Sequence, residues 1–262
     1  MSSRNKILFV MEGSSPDKRL LNRFIDAFSK EMQIDGSQVI AVYGTNIYTL
    51  YNEFKSLQAE EHEFGDIVEV VRSHNPKELD GFSRDDFSDV YLFFDLDIHG
   101  RDVKKACSEI SAMISWFDNE TENGKIFVSY PMVESVYLCD KEELLFKSDR
   151  CFVALSDCLN DGFKKLRNRI CHGNDTTIPV DGIENIKAIC SANFKKANWL
   201  LFDDKNLPSS VESFTQGIIW GKQKLSINDK FQVATLSGLP FFVGEYLGSN
   251  KMLDALGGET VG

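Results

Sequence analysis

The run Tyr91-Leu-Phe-Phe-Asp95-Leu-Asp97-Ile-His99-Gly100 constrains this chain more than any other stretch. It is apolar up to Asp95, shows no alternation, and stops at Asp and Gly, the pattern of a parallel strand buried on both faces. Two carboxylates therefore emerge, one residue apart, at the carboxyl edge of a sheet, where open α/β folds bind their ligands. Like charges held so close cost free energy unless a proton or a cation offsets them. Mg²⁺ meets that need simply, because one or two carboxylates, water and a substrate phosphate commonly hold it.

A second apolar run, Lys6-Ile-Leu-Phe-Val-Met11, ends in Glu12-Gly13-Ser14-Ser15 and gives way to helical spacing near Pro16. Strand, acid, glycine and helix start together place Glu12 at the same edge. Strand–Glu-Gly near the start and strand–Asp-x-Asp further on resemble the TOPRIM domain of topoisomerases, primases and OLD-type nucleases. After a third apolar run, Ser129-Tyr-Pro131-Met-Val-Glu134 looks like the Ser-x-Pro-x-x-Glu segment of RloB-like and related TOPRIM phage-defence proteins. The resemblance covers residues 1–145. It implies a TOPRIM-like, mostly parallel α/β sheet flanked by helices and a nuclease using Mg²⁺, or Mn²⁺ in its place. Glu12, Asp95 and Asp97 would be metal ligands and catalytic acids, Glu134 would join the active site, and Glu12 could also act as general acid or base. Family likeness further suggests an anti-phage effector acting on DNA or RNA and controlled by a partner ATPase, with homo-oligomerisation left open. One position departs from the pattern: OLD-type nucleases carry another acid four residues after the motif glutamate, where this chain has Pro16, with Asp17 one further on. Asp17 therefore reads either as part of a second metal site or as a first-turn acid interacting with the helix dipole. Glu134, after Pro131, reads either as an active-site acid or as an acid at a helix start interacting with its dipole.

Composition narrows the class. An apolar share of 42% with 26% charged residues is ordinary globular make-up, and 262 residues can bury a sizeable core. The net charge of −11 excludes a general nucleic-acid coat protein, so any nucleic-acid contact must be local and helped by metal or by a basic partner. Six cysteines without C-x-x-C or zinc spacing fit a reduced cytoplasm. The opening residues lead into an apolar run too short for a signal peptide or a membrane span, so a cytoplasmic protein with no membrane partner is expected.

Along the chain, residues 17–32 have one apolar helical face, and Gln38–Tyr43 reads as a strand before helical spacing at 47–57. Glu61–Glu63 reads as a polar turn, Asp66–Val71 as a third strand and Ser73–Phe87 as a turn-rich excursion. A helix is expected over Arg101–Phe117 and a strand over Lys125–Ser129, which together make a parallel sheet with right-handed crossovers. Beyond a boundary near 145 the spacing turns helical, so 146–262 is expected to be a helical domain for substrate or partner binding. Its segments are one long amphipathic helix over Cys151–Ile170, stopped by Gly173-Asn174-Asp175, then helices over Ile183–Leu201 and Val211–Lys222. Phe231–Leu247 should form two pieces meeting at Gly238-Leu-Pro240, and the tail from Gly257 should fray.

Two rival readings stand beside the metal site. Arg167-Asn-Arg-Ile-Cys-His172 resembles the Arg-Asn-x-x-x-His motif of HEPN ribonucleases, in which arginine and histidine cleave RNA without metal. With Lys164 and Lys165 the same segment is the most basic patch in the chain, which also suits a solvated or substrate-binding face. The third reading is a non-catalytic binding module whose acids cap helices. His99, in a loop, reads as a bystander.

Overall fold

The computed structural model describes residues 6–13, 15–34, 37–61, 66–98, 100–141, 145–158, 162–172 and 176–257. The expected turn at 62–63, His99, the helix stop at 173–175 and the tail from 258 lie outside the described residues. In chain order the elements are β1 (Lys6–Met11), α1 (Ser15–Ala27), α2 (Ser29–Met32), β2 (Gln38–Val42), α3 (Ile47–Glu61), α4 (Ile67–His74), β3 (Phe87–Asp95), α5 (Val103–Trp116), β4 (Asp118–Asn119) and β5 (Gly124–Ser129). There follow α6 (Ser148–Cys151), β6 (Phe152–Ala154), α7 (Gly162–Cys171), α8 (Ile183–Phe202), α9 (Gln216–Lys230), β7 (Gln232–Ala234), α10 (Gly238–Leu247) and α11 (Ser249–Ala255).

The protein is α/β, with a mostly parallel five-stranded sheet flanked by helices, in the order β2-β1-β3-β5-β4. Only the short β4 runs antiparallel. Strands β1, β3 and β5 read as unbroken apolar runs because helices cover both their faces, and Leu8 to Met11, Val90 to Phe94 and Ile126 to Val128 are buried. Met11 pairs with Phe93 and Asp95 with Ser129, so the three strands reach the same edge together. Right-handed crossovers leading from β1 to β2 and from β3 to β5, in opposite directions along the sheet, place α1 and α5 on opposite faces.

Helix α10 shares the α1 face, which α8 backs. Its Phe242 ring meets Phe9, Tyr91, Phe93 and Phe127 edge-on at 4.9–5.7 Å, a favoured aromatic geometry. The approach is close because residue 238 is glycine. A Cβ there would sit 3.1 Å from the Phe127 backbone, and the Gly238 N–H instead reaches the Ser129 hydroxyl at 3.1 Å. Buried apolar side chains from both halves of the sequence form one continuous cluster. No helix among the described residues is long and apolar enough to cross a membrane.

Three expected elements are different in the structure. Asp66–Val71 is not a strand but the start of α4: the Asp66 side chain caps it by accepting from Val68 N at 2.8 Å. Ile67, Val68, Val70 and Val71 then bury one helical face, with Arg72 and His74 in the last turn. A cap and tertiary burial outweigh the modest strand preference of β-branched residues. The single helix over 151–170 is replaced by α6, the strand β6, a 3-10 turn at Leu155–Cys158 and α7. Strand β6 pairs antiparallel with β7, so a partner far along the chain decides its state. The helix expected at 211–222 begins later, where Thr215 caps α9. Proline 240 lies in the first turn of α10, where its missing N–H costs nothing; the chain turns before Gly238.

Because Phe242 joins the C-terminal half to the sheet, Phe242→Ala should destabilise the protein by about 3–5 kcal/mol. Denaturant unfolding should still show a single transition, by fluorescence and by far-UV circular dichroism.

Candidate active site at the carboxyl edge of the sheet

Glu12 follows β1 and Asp95 ends β3, and the parallel register makes them neighbours. The Asp95 N–H donates to Glu12 Oε2 at 2.8 Å. The Glu12 backbone is itself a rung of the ladder, donating to Phe93 O and accepting from Gly44 N, both at 3.0 Å. Asp95 Oδ1 accepts from Val133 N at 2.7 Å, the first N–H of a 3-10 turn over Val133–Tyr137. Asp95 thus caps that turn, and the cap brings Glu134 to the edge. Glu12 and Asp95 are both half-buried.

Asp17 also belongs here. It lies in the first turn of α1, as its dipole reading requires, and its Oδ2 accepts from Gly13 N at 3.0 Å. A Cβ at residue 13 would overlap that carboxylate, which is the local reason for Glu-Gly in the sequence. Asp97, two residues beyond the strand, has φ +34°, a left-handed conformation that aspartate tolerates better than most residues. It remains half-exposed.

Crowding and burial act together on these acids. Burial pushes the Glu12 carboxyl from 4.5 up to about 8, against the Asp95 N–H, with repulsion from Asp97, Asp17 and Glu134 adding to it. Burial likewise raises Asp95 well above the carboxylate range, with Glu12, Glu134 and Asp17 reinforcing it. Asp17 is raised by burial and by Glu134.

Among the described residues, no three His, Cys, Asp or Glu side chains stand in a metal-enclosing arrangement. One oxygen of Glu12 and one of Asp95 are turned to backbone N–H groups. The other two, Glu12 Oε1 and Asp95 Oδ2, accept no hydrogen bond among the described residues. With the half-exposed Asp97, these hard oxygens suit an ion that keeps several of its waters, as Mg²⁺ does.

Helix α7 packs on the Val133–Tyr137 turn. Lys164 Nζ lies 3.7 Å from Glu134 Oε1, and the Arg167 guanidinium sits 5.2 Å from the centre of the Tyr137 ring. The basic patch of the sequence is therefore delivered to the acidic edge. His172, just past α7, is exposed and lies five positions from Arg167, which turns it well away around the helix. Sequence reading missed Tyr48 and Arg101. The Tyr48 hydroxyl donates to Leu96 O at 2.9 Å, between Asp95 and Asp97, and Arg101 stacks 3.8 Å from the Tyr48 ring centre. The helical spacing that buries Tyr48 was readable, but its contact with a loop after another strand was not.

Compared with protein-family models, curated proteins and solved structures, the chain matches none.

The pH response of the metal-free protein follows from Glu12. Between pH 4.5 and about 8 its folded carboxyl keeps a proton that the unfolded chain releases, so its contribution to stability falls as pH rises through that window. Asp95 and Asp17 act in the same direction. Thermal melts in EDTA should show the melting temperature declining from pH 5 to pH 8, and Glu12→Gln should flatten the decline while retaining the oxygen that accepts from Asp95.

Proposed function

We propose that this protein is a Mg²⁺-dependent phosphodiester hydrolase of TOPRIM-like architecture that cuts DNA or RNA at the carboxyl edge of its sheet. The observation that carries this reading is the 2.8 Å bond from the Asp95 N–H to the Glu12 carboxylate. It sets acids from adjacent parallel strands side by side, within electrostatic reach of Asp97, Asp17 and Glu134. So many carboxylates at one half-buried edge are a poor arrangement for a purely structural role, since each raises the cost of ionising the others.

Glu12, Asp95 and Asp97 would hold the ion through the oxygens not committed to backbone N–H groups. Bound there, a hard dication supplies charge neutralisation at the phosphate and a water that loses its proton more readily. Burial and the neighbouring acids favour a protonated Glu12 in the metal-free protein, whereas a bound dication would favour its ionised form, in which it would serve as ligand. Glu134 is held by Lys164, and that lysine is available to a phosphate oxygen as substrate arrives. Arg167 adds a planar cation suited to a second phosphate oxygen. The mainly helical residues 146–262 would select substrate or dock a controlling ATPase, in keeping with the resemblance to phage-defence effectors. Weak intrinsic attraction between a chain of net charge −11 and nucleic acid fits an enzyme held idle until triggered.

Purified full-length protein, incubated with single- and double-stranded DNA and RNA, should cleave in Mg²⁺ or Mn²⁺ and stop in EDTA. Glu12→Gln and Asp95→Asn should each lower kcat by roughly 10²- to 10⁴-fold. Cleavage that survives the chelator, or the double substitution, removes this reading.

A further inference from the structure

A cavity of about 630 Å³ lies beside the acidic edge, between the loop after Asp97 and the β6–β7 ladder. Ile98 and Arg101 line one wall, and Leu155, Lys230, Phe231 and Gln232 line the other. Its size is that of a small-molecule site. Among the described residues no carboxylate lines it, whereas two cations do, Lys230 and an Arg101 that also lies 3.9 Å from Glu109 on α5. It shares a wall with the candidate active site through Arg101, which stacks on Tyr48, whose hydroxyl holds Leu96 O between Asp95 and Asp97.

Phe231 is the unusual member. At 66% exposure it is the most exposed large apolar side chain among the described residues. It is also the last cap of α9 with φ +53°, a left-handed position that glycine or asparagine normally fills. An aromatic there is unfavourable for the backbone and for solvation alike, and such strain gathers at binding sites. The position is nevertheless rigid, because the Phe231 N–H reaches Ser226 O and its carbonyl accepts from Leu155 N at 2.8 Å.

We propose that this cavity binds one unpaired nucleotide of a single-stranded nucleic acid, its base stacked on Phe231 and its phosphate met by Arg101 and Lys230. The inference rests on the nuclease reading above and names its substrate class. A base inside a duplex has no free face to offer Phe231, whereas a single strand does. Stacking on aromatics is sequence-tolerant and supplies attraction that the acidic surface cannot. The cavity thereby holds the strand while a neighbouring phosphate reaches the acids.

The test is fluorescence anisotropy of the full-length protein with labelled oligonucleotides of roughly 16 nucleotides. Single-stranded DNA, single-stranded RNA and the matching duplexes are compared, with Ca²⁺ in place of Mg²⁺. Wild type should prefer single strands of DNA, RNA or both. Phe231→Gly should weaken that binding by roughly 5- to 140-fold, the equivalent of one lost base stack. The same substitution relieves the left-handed position, so its melting temperature should hold or rise, which separates lost binding from lost folding. Phe231→Trp should bind at least as well as wild type. Equal affinity for duplex and single strand, no binding to any nucleic acid, or Phe231→Gly that binds single strands like wild type overturns the proposal. Parallel incubations in Mg²⁺ keep the two readings apart. Single-strand binding lost in Phe231→Gly without any cleavage by wild type defeats the nuclease and leaves the cavity, while cleavage with unaltered binding in Phe231→Gly does the reverse.

Discussion

Parallel pairing of β1, β3 and β5 is the constraint on which the rest depends. Strands covered on both faces must be apolar along their length, so the chain can turn polar only at their ends. Because all three run the same way in matched register, those ends coincide, with Met11 beside Phe93 and Asp95 beside Ser129. The hydrogen bond from Asp95 N–H to Glu12 is the first polar contact beyond that ladder. It ties the Glu12 side chain to the Asp95 backbone, while the Asp95 side chain is left to accept from Val133 N.

The second half of the chain builds on this edge. Helix α10 seats on the sheet through Gly238 and Phe242, and α7 packs against the turn that Asp95 caps. The result is a gradient of charge across a short distance. Mutually repelling carboxylates lie at the strand ends, Lys164 and Arg167 to one side, and the cavity of Arg101 and Lys230 to another. In a protein this acidic overall, such local cations decide where a phosphate can approach.

Much of the first half was legible from residues alone. The apolar runs at 6–11, 91–95 and 125–129 signal buried parallel strands, and Glu12, Asp95 and Asp97 fall at their ends as hydrophobicity stops; the structure extends the second back to Phe87 and the third to Gly124. Glu134 was legible only as one acid after Pro131, because its place depends on the Asp95 cap. Residues 66–71 misled, since their β-branched side chains suit either state and a single cap bond at Asp66 tipped them to helix. Residues 152–154 misled for a different reason: their strand partner, Gln232–Ala234, is invisible to any local window. Lys164 looked like one solvated lysine among several until α7 met the turn carrying Glu134.

By itself, then, the sequence determined where buried strands end and which acids stand there, because burial on two faces imprints a short contiguous apolar run bounded by turn residues. Tertiary structure alone decided which groups share that edge. Lys164 against Glu134 and Arg101 on Tyr48 are contacts between elements whose spacing carries no mutual signal. The physical reason is range: hydrophobic periodicity is written into neighbouring residues, whereas side-chain hydrogen bonds and charge pairs form only after packing has brought distant backbones together.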